Sequence, residues 1–439
     1  LMMYNILILG SGAREHAIAK SLFVSSYQKK IFCIGSSRNP GIINLCEEFI
    51  VGNLNDPTFV VNYAKKCKVQ FVIIGPENPL EAGIADALLD SQIDVIGPRR
   101  ELAMIESSKT FTRNLQKEFN IPGQPEYQAF SSMIGVEDYL KTLQNKFVIK
   151  YDGLAGGKGV KVFGEQIHSI ADGLSFCESI IEKGGSFLIE EKFIGEEFSL
   201  MSFCDGIHIQ HMPIIQDHKR AFEGDKGPNT GGMGTYSDAD HSLPFLNNAD
   251  IENAKKINEL TLKALNSKTG LLYKGVLYGG FMAVNSGVRL IEYNARFGDP
   301  EAMNIFSLLK TDFIDICKSI ISGDLDKCKI EFLNKATVCK YAVPNGYPDD
   351  PIKNKPINID HMVDLDNVFF ASVDSSDEDL IETGSRTLAC ISIQDSIYEA
   401  EKHAEKNISS VKGPLYHRSD IGTKTVIEKK IDRMDELRC

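Results

Sequence analysis

The run Leu290-Ile291-Glu292-Tyr293-Asn294-Ala295-Arg296-Phe297-Gly298-Asp299 concentrates chemically useful groups on one short stretch. Strand side chains alternate faces, so Glu292 and Asn294 point the same way. A carboxylate and an amide carbonyl are hard oxygen donors. Mg2+ usually takes one or two such protein ligands, with water and substrate phosphates completing its octahedron. Arg296 falls on the same face if the strand continues, where it would meet charge developing on a transferred phosphoryl group. The Gly298-Asp299-Pro300 turn that closes the run favours a positioned site over a solvent-facing strand with a salt bridge.

Two glycine loops point to phosphates. Gly10-Ser11-Gly12-Ala13-Arg14-Glu15-His16 follows an apolar strand and opens a helix, where backbone amides face an anion. The dinucleotide fingerprint needs glycine where this chain has Glu15. Arg14 and Glu15 suit a monophosphate with a polar sugar beside it, and on spacing alone a plain tight turn fits equally well. Gly153-Leu154-Ala155-Gly156-Gly157-Lys158-Gly159 fails as a Walker A loop, because Gly159 stands where a metal-binding hydroxyl is required. It reads as a flap between two strands that closes over a nucleotide through its amides and Lys158, with Lys150 at the end of the preceding strand.

Phe187–Phe193 is an apolar strand ending in Glu190 and Glu191, with Glu196 and Glu197 beyond it. Alone this is weak, since acids at strand ends are usually solvated. The polar, glycine-dense stretch from Asp217 to Gly234 is too long for a simple turn, and long loops without secondary structure of their own tend to be functional. His208 and His211 read as structural, because an i, i+3 pair in a strand faces opposite sides. These parts suggest in-line attack on a phosphate, catalysed by positioning and charge neutralisation.

The elements that must position them form an α/β chain. Apolar strands at 6–9, 31–34, 71–74 and 93–96 alternate with helices, one starting at Asn55-Asp56-Pro57. That alternation indicates a doubly wound parallel sheet with ligands at the strand carboxyl ends, where Gly10–Glu15, Asn39–Gly41 and Gly75–Asn78 lie. A helical linker is expected at 101–120. Strands at 147–150, 160–163 and 187–193 and a helix at 167–183 follow, then a hairpin of 276–284 and 288–294. The last hundred residues read as strands at 337–343 and 387–393 with a helix at 396–410, and Ser375–Asp379 as a solvated charged turn. The expected units are 1–106, 107–193, 194–330 and 331–439.

Composition narrows the class. A chain of 439 residues suggests two to four domains at ~100–200 residues each. Acidic residues outnumber basic ones, 60 to 48, for a net charge of −12, so there is no strongly basic field to gather nucleic acid or anionic membrane. Ten cysteines without CxxC spacing fit a reducing cytosol. LMMYNILILG reads as a first buried strand rather than a leader, and no run approaches the ~18 apolar residues of a membrane span.

GSGAREH, GPENPL, SKTFTR, IKYDGLAGGKGV, IEEKFIGEEFS, QDHKRAFEGDKGPNTGGMG, IEYNARFGDPE and KGPLYHRSDIG occur in the order found in the phosphoribosylamine–glycine ligase family, within the ATP-grasp superfamily. The sequence resembles that family over nearly its whole length. The resemblance implies an amino-terminal parallel-sheet domain, a two-lobed ATP-grasp core and a small α+β carboxyl-terminal domain. It implies ligation of glycine to 5-phosphoribosylamine with ATP and Mg2+ or Mn2+, through glycyl phosphate, in de novo purine synthesis. A cytoplasmic monomer or weak dimer acting on small molecules is expected, ending with its carboxyl-terminal domain and lacking the later pathway activities fused to this ligase in animals.

Residue by residue, the resemblance implies Lys109, Lys150, Gly157 and Lys158 for the ATP phosphates, Glu190, Glu191 and Phe193 for the adenine connector, and Glu197 for the ribose. Glu292 and Asn294 would hold the metal, and Arg296 and Asp217 would handle glycine and the acyl phosphate. Gly10, Gly12, Arg14, Glu15, Asn39, Gly41 and Glu77 would hold phosphoribosylamine, with Asn229, Thr230, Gly231, Gly232, Met233 and Asp299 lining the substrate cleft. Two departures stand out: Ala155-Gly156-Gly157 where a second alanine is common, and Ser37-Arg38 where Pro-Gly is common. Another ATP-grasp carboxylate–amine ligase and a non-catalytic nucleotide-binding protein are the competing readings, and GPNTGGMG with intact Glu292, Asn294 and Arg296 weighs against both.

Overall fold

In the computed structural model, which describes residues 3–156, 158–376 and 379–439, the uniformly apolar runs become strands covered on both faces. Strands β1 (Tyr4–Leu9), β2 (Lys29–Gly35), β3 (Glu48–Val51), β4 (Phe71–Ile74) and β5 (Asp94–Ile96) pair in parallel in the order β3-β2-β1-β4-β5. Ile6, Leu7, Ile8 and Leu9 are wholly buried. The order reverses between β1 and β4, so the loops after these two strands flank one crevice. Gly10 there has φ +116°, a conformation that suits glycine. Asp56 caps the helix Pro57–Lys66, as its sequence predicts.

The expected helix at 101–120 is two helices, Arg100–Ser107 and Lys109–Glu118. Ser108 breaks it by adopting extended backbone, accepting from the Phe111 N–H (3.1 Å) and donating to Asp152 (3.2 Å). A small lobe follows, with β6 (Tyr127–Phe130), β7 (Phe147–Tyr151), β8 (Val160–Val162) and β9 (Phe187–Glu191) antiparallel in the order β6-β9-β7-β8. Phe130, Phe147, Ile149, Phe187 and Ile189 form its core with the helix Ile170–Glu182. The edge strand β6 escaped the sequence reading because its central Gln128 and Ala129 are exposed and give no apolar run.

Next come β10 (Glu196–Asp205), β11 (Ile209–His211), β12 (Gln216–Asp217), β13 (Arg220–Phe222), β14 (Lys226–Asn229), β15 (Gly234–Ser237), β16 (Lys274–Ala283) and β17 (Val288–Asn294). The expected hairpin is β16–β17, inside a sheet ordered β11-β10-β16-β17. The stretch 217–234 is not bare loop: β13 and β14 pair as a short hairpin within it. His208 and His211 serve separate contacts, with Asp205 (2.9 Å) and Ser202 (2.8 Å), rather than one ligand.

The remaining strands are β18 (Ala336–Pro344), β19 (Lys355–Ile357), β20 (Val368–Phe370), β21 (Val373–Ser376), β22 (Asp379–Glu382), β23 (Leu388–Gln394) and β24 (Leu415–Tyr416). β12 and β15 join β18, β23 and β20 in one sheet, which fastens the 216–237 stretch to the carboxyl-terminal segment. Of the expected charged turn, Ser375, Ser376 and Asp379 lie in the paired strands β21 and β22, and Asp377 and Glu378 lie outside the described residues. An unanticipated helix, Lys424–Arg438, packs back on the chain through Lys430 and Arg433 to Glu196 (3.0 Å each) and Arg438 to Asp250. All ten cysteines are free thiols and seven are buried, as small hydrophobes would be. Among the described residues no helix is long and apolar enough to cross a membrane.

The β1 and β4 loops meet at Glu15. A Cβ at Gly75 would overlap the Glu15 carboxylate, which is 2% exposed and accepts from Gly12 N–H (2.7 Å) and Arg14 Nε (2.6 Å). Gly75→Ala is therefore expected to cost about 1–3 kcal/mol in urea unfolding, the usual penalty of overpacking. An unchanged midpoint would mean that the two loops are not packed as described.

Candidate active site

Residues from the β1, β2 and β4 loops build one wall. Glu15 ties Gly12 to Arg14, and Arg14 Nη1 donates to the Phe297 carbonyl at 3.2 Å. Asn39 is fully buried; its Oδ1 accepts from Gly41 N–H (3.0 Å), and its Nδ2 donates to the carbonyls of Ser11 (2.9 Å) and Phe370 (2.8 Å). Asn39 thus shapes the wall and presents no open side-chain group, in contrast to the ligand contact expected of it. Gly41 is required because a Cβ there would overlap the His16 ring. Burial tends to raise the Glu77 carboxyl, but Arg296 and Arg14 beside it hold it below its ordinary value.

The opposite wall is the end of β17. Glu292 and Asn294 lie two apart on that strand, as the alternation requires. Among the described residues Glu292 has one ion pair, with Lys219 at 3.7 Å, and Lys219 also lies 3.6 Å from Glu197. Burial would raise Glu292, but Lys219, Lys109, Lys150 and Arg296 outweigh it and lower its carboxyl. Asn294 Oδ1 accepts from Arg296 Nη2 at 3.3 Å. This donor pair, hard oxygens with only long contacts to cations, fits a divalent ion that also leans on substrate phosphates. No group of three or more His, Cys, Asp or Glu residues suited to hold a metal alone occurs among the described residues.

Arg296 is mostly buried and held by charged partners. Its Nη2 meets Glu106 Oε1 at 2.8 Å, its Nε lies 3.3 Å from Glu77 Oε2, and its Nη1 donates to the Phe297 carbonyl at 3.2 Å. Glu106 also accepts from the Ala295 N–H at 2.7 Å. Asp217 is half-buried, its Oδ1 is shielded and unpartnered among the described residues, and desolvation together with Glu301 raises its carboxyl well above the ordinary range. Thr230 holds its loop through Lys219, and a Cβ at Gly232 (φ +118°) would crowd Asp217. Asn229 pairs with Arg220, Gly231 packs on Arg386, and Met233 is fully buried, donating its N–H to the His218 carbonyl at 2.8 Å.

On the nucleotide side, Lys109 Nζ donates to the Gly153 carbonyl at 3.1 Å and so reaches the base of the flap. Lys158 is exposed on the flap, and Gly157 lies outside the described residues. Lys150 is buried between Glu190 (2.7 Å) and the Ile291 carbonyl (3.0 Å). Arg113, which no spacing singled out, chelates Glu190 through Nε (2.7 Å) and Nη2 (3.1 Å). Glu190 is therefore sealed inside the sheet rather than presented at a strand end. Glu191 pairs with Arg289, whose guanidinium lies 4.5 Å over the Phe193 ring.

The structure brings Glu292, Lys109, Lys150, Lys219 and Asp217 near one another, and ties the β1 loop to Phe297 and Asp299 beside them. Sequence reasoning assigned no role to Glu106, Arg113, Lys219, Glu301, Tyr341 or Arg386, nor to Tyr278, whose hydroxyl donates to Glu301 at 2.7 Å. Arg113, Lys219 and Glu301 stood inside quoted motifs; Glu106, Tyr278, Tyr341 and Arg386 carry no local signal, since each acts through a partner far away in sequence.

Matches to known proteins bear on this cleft. Residues 4–106, 107–302 and 337–424 match the N domain, the ATP-grasp (A) domain and the C domain of phosphoribosylglycinamide synthetase. The chain is 45% identical over 434 residues to a phosphoribosylamine–glycine ligase of Methanosarcina barkeri, covering 99% of this chain and 100% of that one. A phosphoribosylamine–glycine ligase structure from Thermotoga maritima superposes with a TM-score of 0.79 at 28% identity, covering 95% of this chain and 100% of that one. The biotin carboxylase domain of the Hydrogenobacter thermophilus 2-oxoglutarate carboxylase, solved with MgADP, shares the fold at a TM-score of 0.70 and 14% identity, covering 99% of this chain and 94% of that one.

Burial would raise the Glu190 carboxyl, but Arg113 and Lys150 outweigh it and hold it at about 2, against an ordinary 4.5. A depressed carboxylate stabilises the fold above its ordinary range and loses that contribution as pH falls toward the folded value. Urea midpoints should therefore drop as pH falls from 4.5 toward about 2 in the wild type, and Glu190→Gln should lower the neutral-pH midpoint and flatten this acid dependence. A parallel pH slope in both proteins would show that Glu190 is not the group held down.

Proposed function

The chain belongs to the phosphoribosylglycinamide synthetase family, and from that premise we propose that it ligates glycine to 5-phosphoribosylamine with ATP, giving glycinamide ribonucleotide, ADP and phosphate in purine biosynthesis. The observation that carries this reading is the Phe297 carbonyl shared by Arg14 of the β1 loop and Arg296, which joins that loop to the strand end bearing Glu292 and Asn294. We assign 1–106 to the ribosylamine phosphate, 107–193 to the small nucleotide lobe, 194–330 to the metal and glycine lobe, and 331–439 to a carboxyl-terminal domain that closes the cleft.

Glu292 and Asn294 would hold Mg2+ or Mn2+, which supplies charge neutralisation on the nucleotide phosphates. Lys109, Lys150 and Lys158 present point charges on the same side, and the glycine flap excludes water. Water exclusion matters because an acyl phosphate hydrolyses readily. Glycine's carboxylate attacks the γ-phosphate to give glycyl phosphate; the ribosylamine nitrogen then attacks the acyl carbon, and phosphate leaves. Arg296 stabilises charge on the transferred group from a position fixed by Glu77 and Glu106. Asp217, whose Oδ1 has no partner among the described residues, would accept from the glycine ammonium. The protein works as a cytoplasmic monomer or weak dimer on these small molecules, without nucleic acid or membrane.

Phosphate release from ATP should require glycine and phosphoribosylamine together, the latter generated in place. Release that ignores either co-substrate would contradict the reading. Arg14→Ala should raise KM for the phosphorylated amine about tenfold or more, as expected for losing a charged hydrogen-bonding group, and leave KM for ATP within about twofold. Equal losses for both would argue against separate sites.

A further inference from the structure

Asp299 is the point where three segments of the cleft meet. Its Oδ2 faces the Arg14 N–H of the β1 loop at 3.4 Å. Its Oδ1 accepts from the Tyr341 hydroxyl at 2.6 Å and lies 3.3 Å from Arg386 Nη2. Arg386 Nη1 also donates to the carbonyls of Gly232 (3.0 Å) and of Asp299 itself (3.1 Å). The guanidinium stacks 4.5 Å over the Tyr341 ring, and the Tyr341 N–H donates to the Met233 carbonyl at 2.9 Å. Tyr341 is fully buried, so its hydroxyl needs a buried acceptor, and Asp299 supplies it.

Two residues from β18 and the approach to β23 thus grip both the 229–233 loop and the Asp299 turn. Tyr341 and Arg386 converge on Oδ1, which fixes the rotation of the carboxylate and aims Oδ2 at the β1 loop. A planar guanidinium can address two carbonyls and stack on an aromatic ring at once; an ammonium cannot. The polar partners of these two side chains are Asp299 and the Gly232 carbonyl, with Asp217 near Arg386; neither the phosphate lysines nor Glu292 and Asn294 are among them.

Resting on the ligase reading above, we infer that Tyr341 and Arg386 are positioning residues for the amine acceptor: by fixing Asp299 against the Arg14 loop, the carboxyl-terminal segment sets affinity for the phosphorylated amine. Neither touches the reacting atoms.

The test is steady-state kinetics of the full chain carrying Tyr341→Phe or Arg386→Lys, with urea melts to confirm folding. Both variants should raise KM for phosphoribosylamine about tenfold, the scale of a lost charge-assisted hydrogen bond, with KM for ATP within about twofold. A merely structural role would move both constants together. Unchanged KM for the amine, or parallel rises in both constants, overturns the inference while leaving an active wild-type ligase intact. A folded wild type that does not use phosphoribosylamine overturns the ligase reading and this inference with it. Tyr341→Phe removes one hydroxyl and keeps the ring, so it carries the test if Arg386→Lys fails to fold.

Discussion

A guanidinium keeps its proton under any condition in which a protein stays folded, so Arg296, with 16% of its side chain exposed, holds a permanent positive charge largely out of water. Removing such a charge from water costs several kcal/mol unless partners replace the lost hydration. The partners are Glu77 and Glu106, and both come from the first hundred or so residues, whereas Arg296 follows β17. The cleft can therefore form only when these distant segments dock. Glu106 strengthens the requirement by accepting from the Ala295 N–H as well, which fixes the backbone that carries the guanidinium.

The same arrangement recurs wherever segments meet. Arg113 and Lys150 converge on Glu190 and both also bond the Ile291 carbonyl, so the small lobe is fastened beside Glu292. Arg386 and Tyr341 hold Asp299. Arg418 reaches from the carboxyl-terminal segment to Asp225 at 2.9 Å and stations the β13–β14 hairpin, while Lys340, wholly buried, meets Glu401 (2.7 Å) and Glu405 (2.6 Å). Such pairs contribute little net stability over a well-packed apolar substitute. Their effect is geometric: a charge that must find one particular partner specifies which surfaces face each other, and that specification positions the catalytic groups.

What the sequence disclosed follows from the range of each interaction. Period-two alternation placed Glu292 and Asn294 on one face of β17, and the uniformly apolar strands revealed the parallel sheet with loops at its carboxyl ends. Asp56-Pro57 announced its helix because capping is a contact over three residues. Ser108 split an expected single helix through an equally local bond, but its competing partner, Asp152, is 44 residues away. Glu106, Tyr341 and Arg386 gave no signal, and Arg113 none beyond its place in a motif, because the partners cited for them lie between 42 and 189 residues off. Asn39 and Glu190 were legible as polar residues at the right loops. Only the structure shows both turned inward, Asn39 into loop carbonyls and Glu190 into its two cations.

The central claim is that this cleft activates a carboxylate by phosphoryl transfer and then delivers it to an amine. Isotope transfer tests that claim most directly. Glycine labelled with 18O in both carboxylate oxygens should pass one labelled oxygen to the inorganic phosphate formed with each glycinamide ribonucleotide, because the oxygen that attacks the γ-phosphate leaves with it. Phosphate free of label, formed during productive ligation, would contradict the account.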